Sequence, residues 1–145
     1  MTKVFGKIID LFRPTRVKIG SDIVWIPDIQ KSVEKFGTKY LNFIFTDDEI
    51  AQSRNQYGQL SYASLAARFA AKEAMMKLLK TGNDDLLPWQ SIEIKRQQNM
   101  APRLELYSPA KEFAKMAKIK IDRLNLSFSH DRDYATAVIV ALYKE

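Results

Sequence analysis

One stretch limits what this chain can fold into more than any other. From Tyr62 to Lys80 the sequence is rich in Ala and Leu, and Gly82 and Asn83 stop it. Those residue types and that ending predict a long helix over 62–80, with the rest of the fold arranged around it. On a wheel of about 100° per residue with Phe69 at zero, Leu65 falls at about −40°, Met76 at about −20° and Glu73 at about 40°. A carboxylate therefore shares the apolar face. Left unpaired there it would cost several kcal/mol, so it must be neutral, salt-bridged or bound to a cation. Lys77, one turn later, stands at the favourable Glu-to-Lys spacing, and the helix alone leaves the ion pair and the metal site both open.

The flanking sequence supplies both strands and helices. Val4, Phe5, Ile8, Leu11 and Phe12 recur at helical spacing, which predicts a short amphipathic helix over 3–12 that ends before Pro14. Val17 to Ile26 alternates as a strand, with Val17, Ile19, Ser21, Ile23 and Trp25 on one face and Gly20, Asp22, Val24 and Ile26 on the other. After Pro27, the spacing of Ile29, Val33, Phe36, Tyr40 and Phe43 predicts one helix over 28–44. Thr46 followed by Glu49 is a capping-box signature for another short one. Ser91–Arg96 and Arg103–Tyr107 read as strands separated by a turn at 99–102, and Pro109 opens a helix to about Lys118. Leu124–Ser129 and Tyr134–Tyr143 read as a closing hairpin around 130–133. This order is α+β, and 145 residues suit a single domain, with residues 1–16 an N-terminal extension and 17–145 the folded domain.

Composition narrows the chemistry. The chain has no cysteine, which excludes disulfides, thiolate nucleophiles and Cys-ligated zinc, and a cytoplasmic location is the simplest reading. With His130 the single histidine, a His-rich metal centre is excluded too, so any metal must rest on carboxylates, which suit hard cations such as Mg²⁺. No apolar run is long enough for a membrane span. The net charge of +6 favours an anionic partner without saying which kind.

Asp22 raises the same question as Glu73, because an acid in a strand whose neighbours are Ile23 and Val24 sits poorly in a core without a partner, unless it caps a turn at the strand end. Two inward-facing acids on separate elements, with Arg68, Lys72 and Lys77 near one of them, would suit a Mg²⁺–diphosphate site. Specificity comes from resemblance. Gly20-Ser21-Asp22-Ile23-Val24, Phe45-Thr46-Asp47-Asp48-Glu49-Ile50, Arg68-Phe69-Ala70-Ala71-Lys72-Glu73-Ala74 with Lys77, the Lys80-Thr81-Gly82 loop and Leu126-Ser127-Phe128-Ser129-His130-Asp131 occur in the order seen in one family. The chain resembles the holo-acyl-carrier-protein synthases, which are 4′-phosphopantetheinyl transferases, over roughly residues 17–142.

The resemblance implies an antiparallel sheet packed on the long central helix. It also implies a reaction in which a serine of an acidic apo acyl carrier protein attacks the β-phosphate of coenzyme A and displaces adenosine 3′,5′-bisphosphate, a step of fatty acid biosynthesis. Asp22 and Glu73 would bind Mg²⁺, with Asp22, Glu73 and Lys77 catalytic. Arg68, Lys72, Lys77, Thr81, Gly82 and His130 would contact coenzyme A. A homotrimer with sites between subunits is implied as well. The chain departs from the family at Lys80, where a loop glycine is usual, and at Asn99-Met100-Ala101-Pro102, which stands in place of an asparagine-glycine-x-proline turn. Two other classes compete with this reading. One is a nucleic-acid-binding module, since basic residues mix with Phe and Tyr, although no RNA-recognition or helix-turn-helix signature accompanies them. The other is a non-catalytic protein-binding module that kept the fold, against which the joint presence of Asp22, Lys72, Glu73 and Lys77 argues.

Overall fold

The computed structural model describes residues 6, 8, 9, 13–79 and 87–144. The first strand is long, β1 (Thr15–Trp25), and its alternation sets two unlike faces. Gly20 and Val24 are buried and Asp22 is half-buried, whereas Val17, Ile19, Ser21, Ile23 and Trp25 are exposed. The faces are those expected from the sequence. Helix α1 (Ile26–Phe36) follows directly, with Pro27 in its first turn, where a missing N–H is tolerated.

The helix expected over 28–44 is in fact two. Gly37 adopts φ 58° and ψ −136°, ending α1 and redirecting the chain into α2 (Thr38–Ile44). Few residues other than glycine accept that conformation. Helix α3 (Asp47–Gln52) begins with the expected capping box, in which Thr46 Oγ1 accepts from the Glu49 amide while the Glu49 carboxylate accepts from the Thr46 amide. Helix α4 (Tyr62–Leu79) is the long central one, and Ser61 Oγ accepts from the Ser64 amide at its start.

Beyond α4, strands β2 (Ile92–Lys95) and β3 (Arg103–Leu106) form a two-stranded antiparallel sheet, followed by helix α5 (Ala110–Met116). Strands β4 (Asn125–Asp131) and β5 (Tyr134–Lys144) then make a hairpin. β5 pairs antiparallel with β1 along its whole length, from Thr15 opposite Lys144 to Trp25 opposite Tyr134, giving a three-stranded sheet in the order β1-β5-β4. The N-terminal helix expected over 3–12 falls largely outside the described residues. Among the described residues no helix is long and apolar enough to cross a membrane.

Helix α4 packs across one face of the three-stranded sheet, and small side chains let it lie close. Ala66, Ala67, Ala70, Ala71 and Ala74 of the helix, with Ala135, Ala137 and Ala141 of β5, are all buried. At Gly20 the approach is backbone on backbone: a Cβ built there would stand 2.0 Å from the Ala74 carbonyl oxygen. This corrects the wheel. The helix is buried almost all round, and Phe69, Glu73, Met76 and Lys77 form its open stripe, because the sheet packs on the alanine side.

Candidate active site

The pleat of β1 turns Asp22 toward α4, and one turn of helix carries Glu73 and Lys77 toward it. Lys77 Nζ donates to Asp22 Oδ1 at 2.7 Å and to the Ser21 carbonyl at 3.2 Å. The ammonium remains open to solvent, its side chain 56% exposed, and its hydrogen bond with Asp22 raises its pKa. Burial, and then the nearby charge of Asp22, hold the Glu73 carboxyl above the usual carboxylate range, with Lys77 acting in the opposite direction. Two carboxylates facing each other beside one ammonium is an arrangement that a divalent cation would relieve. Among the described residues no three acidic or histidine side chains converge on one point, so a cation here would take its other ligands from water or from a bound phosphate.

Asp22 and Glu73 open into a cavity of about 660 Å³ whose other walls include Trp25, Asp28, Ser32, Tyr40, Phe43 and Trp89. Phe69 stacks on Trp89, ring centroids 4.9 Å apart, and closes its floor. On the far side of Asp22, a second cavity of about 390 Å³ is lined by Ser21, Lys77, Thr136 and Val138. Asp22 thus lines both an aromatic trough and a smaller one that Lys77 also lines. Such a place suits a ligand with a charged centre and chemically different arms.

The other residues expected to bind coenzyme lie elsewhere. Lys72 is fully buried on another side of α4, where its ammonium pairs with Glu49 Oε2 at 2.9 Å and donates to the carbonyls of Trp89 and Ile92 at 3.1 and 2.7 Å. With three donors and three partners inside the core, it has none left for a phosphate. The assignment of Lys72 to the coenzyme is therefore corrected to a structural one. Glu49, which the sequence marked only as a cap, also accepts from the Ile94 amide at 2.7 Å and so ties α3, α4 and β2 together.

Arg68 is 2% exposed and is held by Ser64 and by Gln52 Oε1, while its Nε has no hydrogen-bond partner. It lines a separate cavity of about 250 Å³ with Arg96, Gln97 and Gln98. Burial lowers its pKa, and Glu49 counters that shift. His130 lies exposed on β4 opposite Ala135, so that β5 stands between it and the strand carrying Asp22. Thr81 and Gly82 lie outside the described residues. One chain thus unites Asp22, Glu73 and Lys77 and keeps Arg68 and His130 apart from them.

Residues 18–139 match the 4′-phosphopantetheinyl transferase superfamily. The chain belongs to that superfamily. Its relatives include the holo-[acyl-carrier-protein] synthases of Chlamydia trachomatis, 41% identical over 123 residues that cover 85% of this chain and 97% of the relative. The Chlorobaculum tepidum enzyme is 38% identical over 128 residues, covering 88% and 98%. Among solved structures, the Helicobacter pylori holo-[acyl-carrier-protein] synthase in complex with coenzyme A is similar at TM-score 0.70 and 33% identity, covering 85% of this chain and 98% of that one. The coenzyme A complex of the Chronobacterium ammoniagenes enzyme is similar at TM-score 0.76 and 26% identity, covering 90% and 99%.

Against other phosphopantetheinyl transferases, the altered 99–102 turn proves a mild departure. Asn99 takes the left-handed conformation, at φ 63°, and Met100 does not, so no glycine is needed at position 100. The aromatic wall was missed from the sequence. Trp25, Tyr40 and Phe43 fall at strand or helix spacing and read as ordinary core. The signal that could have found it is the nearness of Trp25 and Asp28 to Asp22 in sequence.

Proposed function

We propose that Asp22, Glu73 and Lys77 form the active centre of a Mg²⁺-dependent holo-acyl-carrier-protein synthase. The reaction is that of the family. A serine of an apo acyl carrier protein attacks the β-phosphorus of coenzyme A. The new P–O bond forms as the diphosphate bridge breaks, and adenosine 3′,5′-bisphosphate leaves. The observation that carries the site assignment is the half-buried Glu73 carboxyl, which lines one large cavity with Asp22 and feels its charge. These two carboxylates would hold Mg²⁺, which would neutralise charge on the diphosphate. Lys77, exposed and already beside Asp22, can turn its ammonium to a phosphate oxygen and balance the charge that develops on the leaving group. The serine proton passes to the Glu73 carboxylate or to a water it holds. The aromatic wall supports one arm of the coenzyme and keeps water from the phosphorus.

Two features support a homotrimer with sites shared between subunits. The sheet face away from α4 leaves Val17, Ile19, Ile23 and Val138 exposed in one apolar surface, which a second copy would cover. Arg68 and His130, remote from Asp22 in their own chain, would then serve a neighbour's coenzyme.

The acidic carrier would meet α1, where Lys31 and Lys35 are exposed and Lys31 lies 4.8 Å from the ring centre of Trp25 on the cavity wall. Lys39 belongs to α2, beyond the Gly37 break, so it does not continue the same helical stripe. The cytoplasm, where carrier and coenzyme meet in fatty acid synthesis, is the expected location.

Incubation with coenzyme A, Mg²⁺ and an apo carrier, read by mass spectrometry, tests the whole reading. A phosphopantetheine increment on the carrier serine, abolished by chelation and restored by Mg²⁺, is expected. No increment on any apo carrier would refute it. Reversing Lys31 and Lys35 to Glu should raise the KM for the carrier far more than that for coenzyme A, and equal effects would move the docking site elsewhere.

A further inference from the structure

The two carboxylates lie beside a close backbone contact between strand and helix. A Cβ on Gly20 would meet the Ala74 carbonyl oxygen at 2.0 Å, the Ala74 carbonyl carbon at 3.0 Å and Leu78 Cβ at 2.9 Å. None of these atoms is the movable end of a side chain. Asp22 follows two residues along β1 on the same face as Gly20, and Glu73 immediately precedes Ala74 on α4. The Gly20–Ala74 contact is therefore the fulcrum that fixes how far the backbone of one acid stands from that of the other. β1 cannot yield locally at this point, because every residue from Thr15 to Trp25 is paired with β5.

We propose that Gly20 is a positioning residue that sets the Asp22–Glu73 spacing and thereby selects a small divalent cation over a larger one. The proposal rests on the reading of these two acids as cation ligands. Its magnitude follows from contact distances. To relax a Cβ from 2.0 Å to an ordinary 3.4 Å contact with the Ala74 oxygen, strand and helix must separate by about 1.4 Å if the motion is along the line of contact. Oxygen ligands stand at about 2.0–2.1 Å from Mg²⁺ and about 2.3–2.6 Å from Ca²⁺, so the span between two ligands differs by up to about 1 Å. The step forced by a single methyl group is larger than the difference between the two ions. A backbone moved by that amount carries the carboxylates out of reach of the smaller one first.

The test is calorimetric titration of the protein with Mg²⁺ and with Ca²⁺, with coenzyme A present and no carrier, so that affinity is read without turnover. Gly20→Ala should lower Mg²⁺ affinity by about tenfold or more and shift the Ca²⁺-to-Mg²⁺ affinity ratio toward Ca²⁺ by a similar factor. Adding Asp22→Glu to that variant, which lengthens one ligand by a methylene, should return Mg²⁺ affinity toward the wild type. Should Gly20→Ala not fold, Glu73→Asp opens the gap from the ligand side on an unaltered backbone and should shift the ratio the same way. A folded Gly20→Ala with the wild-type ratio, whatever its thermal stability, overturns the proposal, as does an unchanged ratio in Glu73→Asp. A wild-type protein that binds neither ion refutes the cation reading itself and is seen before any variant is made.

Discussion

Helix α4 carries two lysine–carboxylate pairs of nearly equal length and opposite consequence. Lys72–Glu49 spans 2.9 Å with both side chains fully buried, and Lys77–Asp22 spans 2.7 Å with Lys77 largely exposed. In the first pair every donor of the lysine is matched by an acceptor in the core, and the carboxylate is completed by two backbone amides. Such a pair is closed. It has repaid its desolvation only through complete satisfaction, and it fails badly if one partner is removed. In the second pair the lysine keeps most of its hydration, so its partner can be exchanged at little cost. Charge and spacing are alike in the two, and burial decides that one holds the fold and the other is free to work.

The largest effect should come from the open side. Glu73→Gln or Asp22→Asn should lower transfer by about a hundredfold or more while the protein stays folded, measured by steady-state transfer alongside circular dichroism. Next is the closed pair. Glu49→Gln leaves a buried ammonium without its counter-charge and should cost about 3 to 5 kcal/mol in denaturant unfolding. Pairing it with Lys72→Met should recover part of that loss, because the stranded charge is gone; a double variant no better than the single would break the comparison.

Lys77→Met should do the reverse of the Glu49 variant, costing about 1 kcal/mol or less of stability while reducing transfer about tenfold or more. The smallest effect concerns Glu73 itself. Its folded pKa is raised, so the folded protein binds the extra proton, and this contribution to stability is present at low pH and lost as pH rises through the raised pKa. Melting curves in chelator should therefore show the stability of the wild type relative to Glu73→Gln falling as pH rises from below the ordinary glutamate range. Added Mg²⁺ should flatten that fall, and identical curves with and without the ion would remove Glu73 from the metal site.

The sequence revealed the order of elements well, because alternation in β1 and β5, the capping box and the Ala-rich helix are local signals. It concealed the break at Gly37. A glycine inside a helical pattern costs only about 1 kcal/mol, and the apolar spacing from Ile29 to Phe43 runs straight through it. The orientation of α4 was misread for a related reason: a wheel weights large side chains, whereas a helix pressed onto a sheet turns its smallest ones inward. Lys72 looked like a phosphate ligand because its partner, Glu49, is remote in sequence and read only as a cap. Asp22, Glu73 and Lys77 were ambiguous as residues and became legible as a group only through two separate motifs of one family, Gly20–Val24 and Arg68–Ala74 with Lys77.

The pleat of β1 places two unrelated requirements on alternate residues of one segment. Gly20, Asp22 and Val24 face α4 and the core, while Val17, Ile19 and Ile23 furnish the outer apolar surface. A deletion of one residue between Val17 and Asp22 would reverse the residues that follow it, turning Ile23 toward α4 and Asp22 to the outer face. A deletion of two would keep each on its own side. Across natural variation, this strand should therefore tolerate length changes only in even steps.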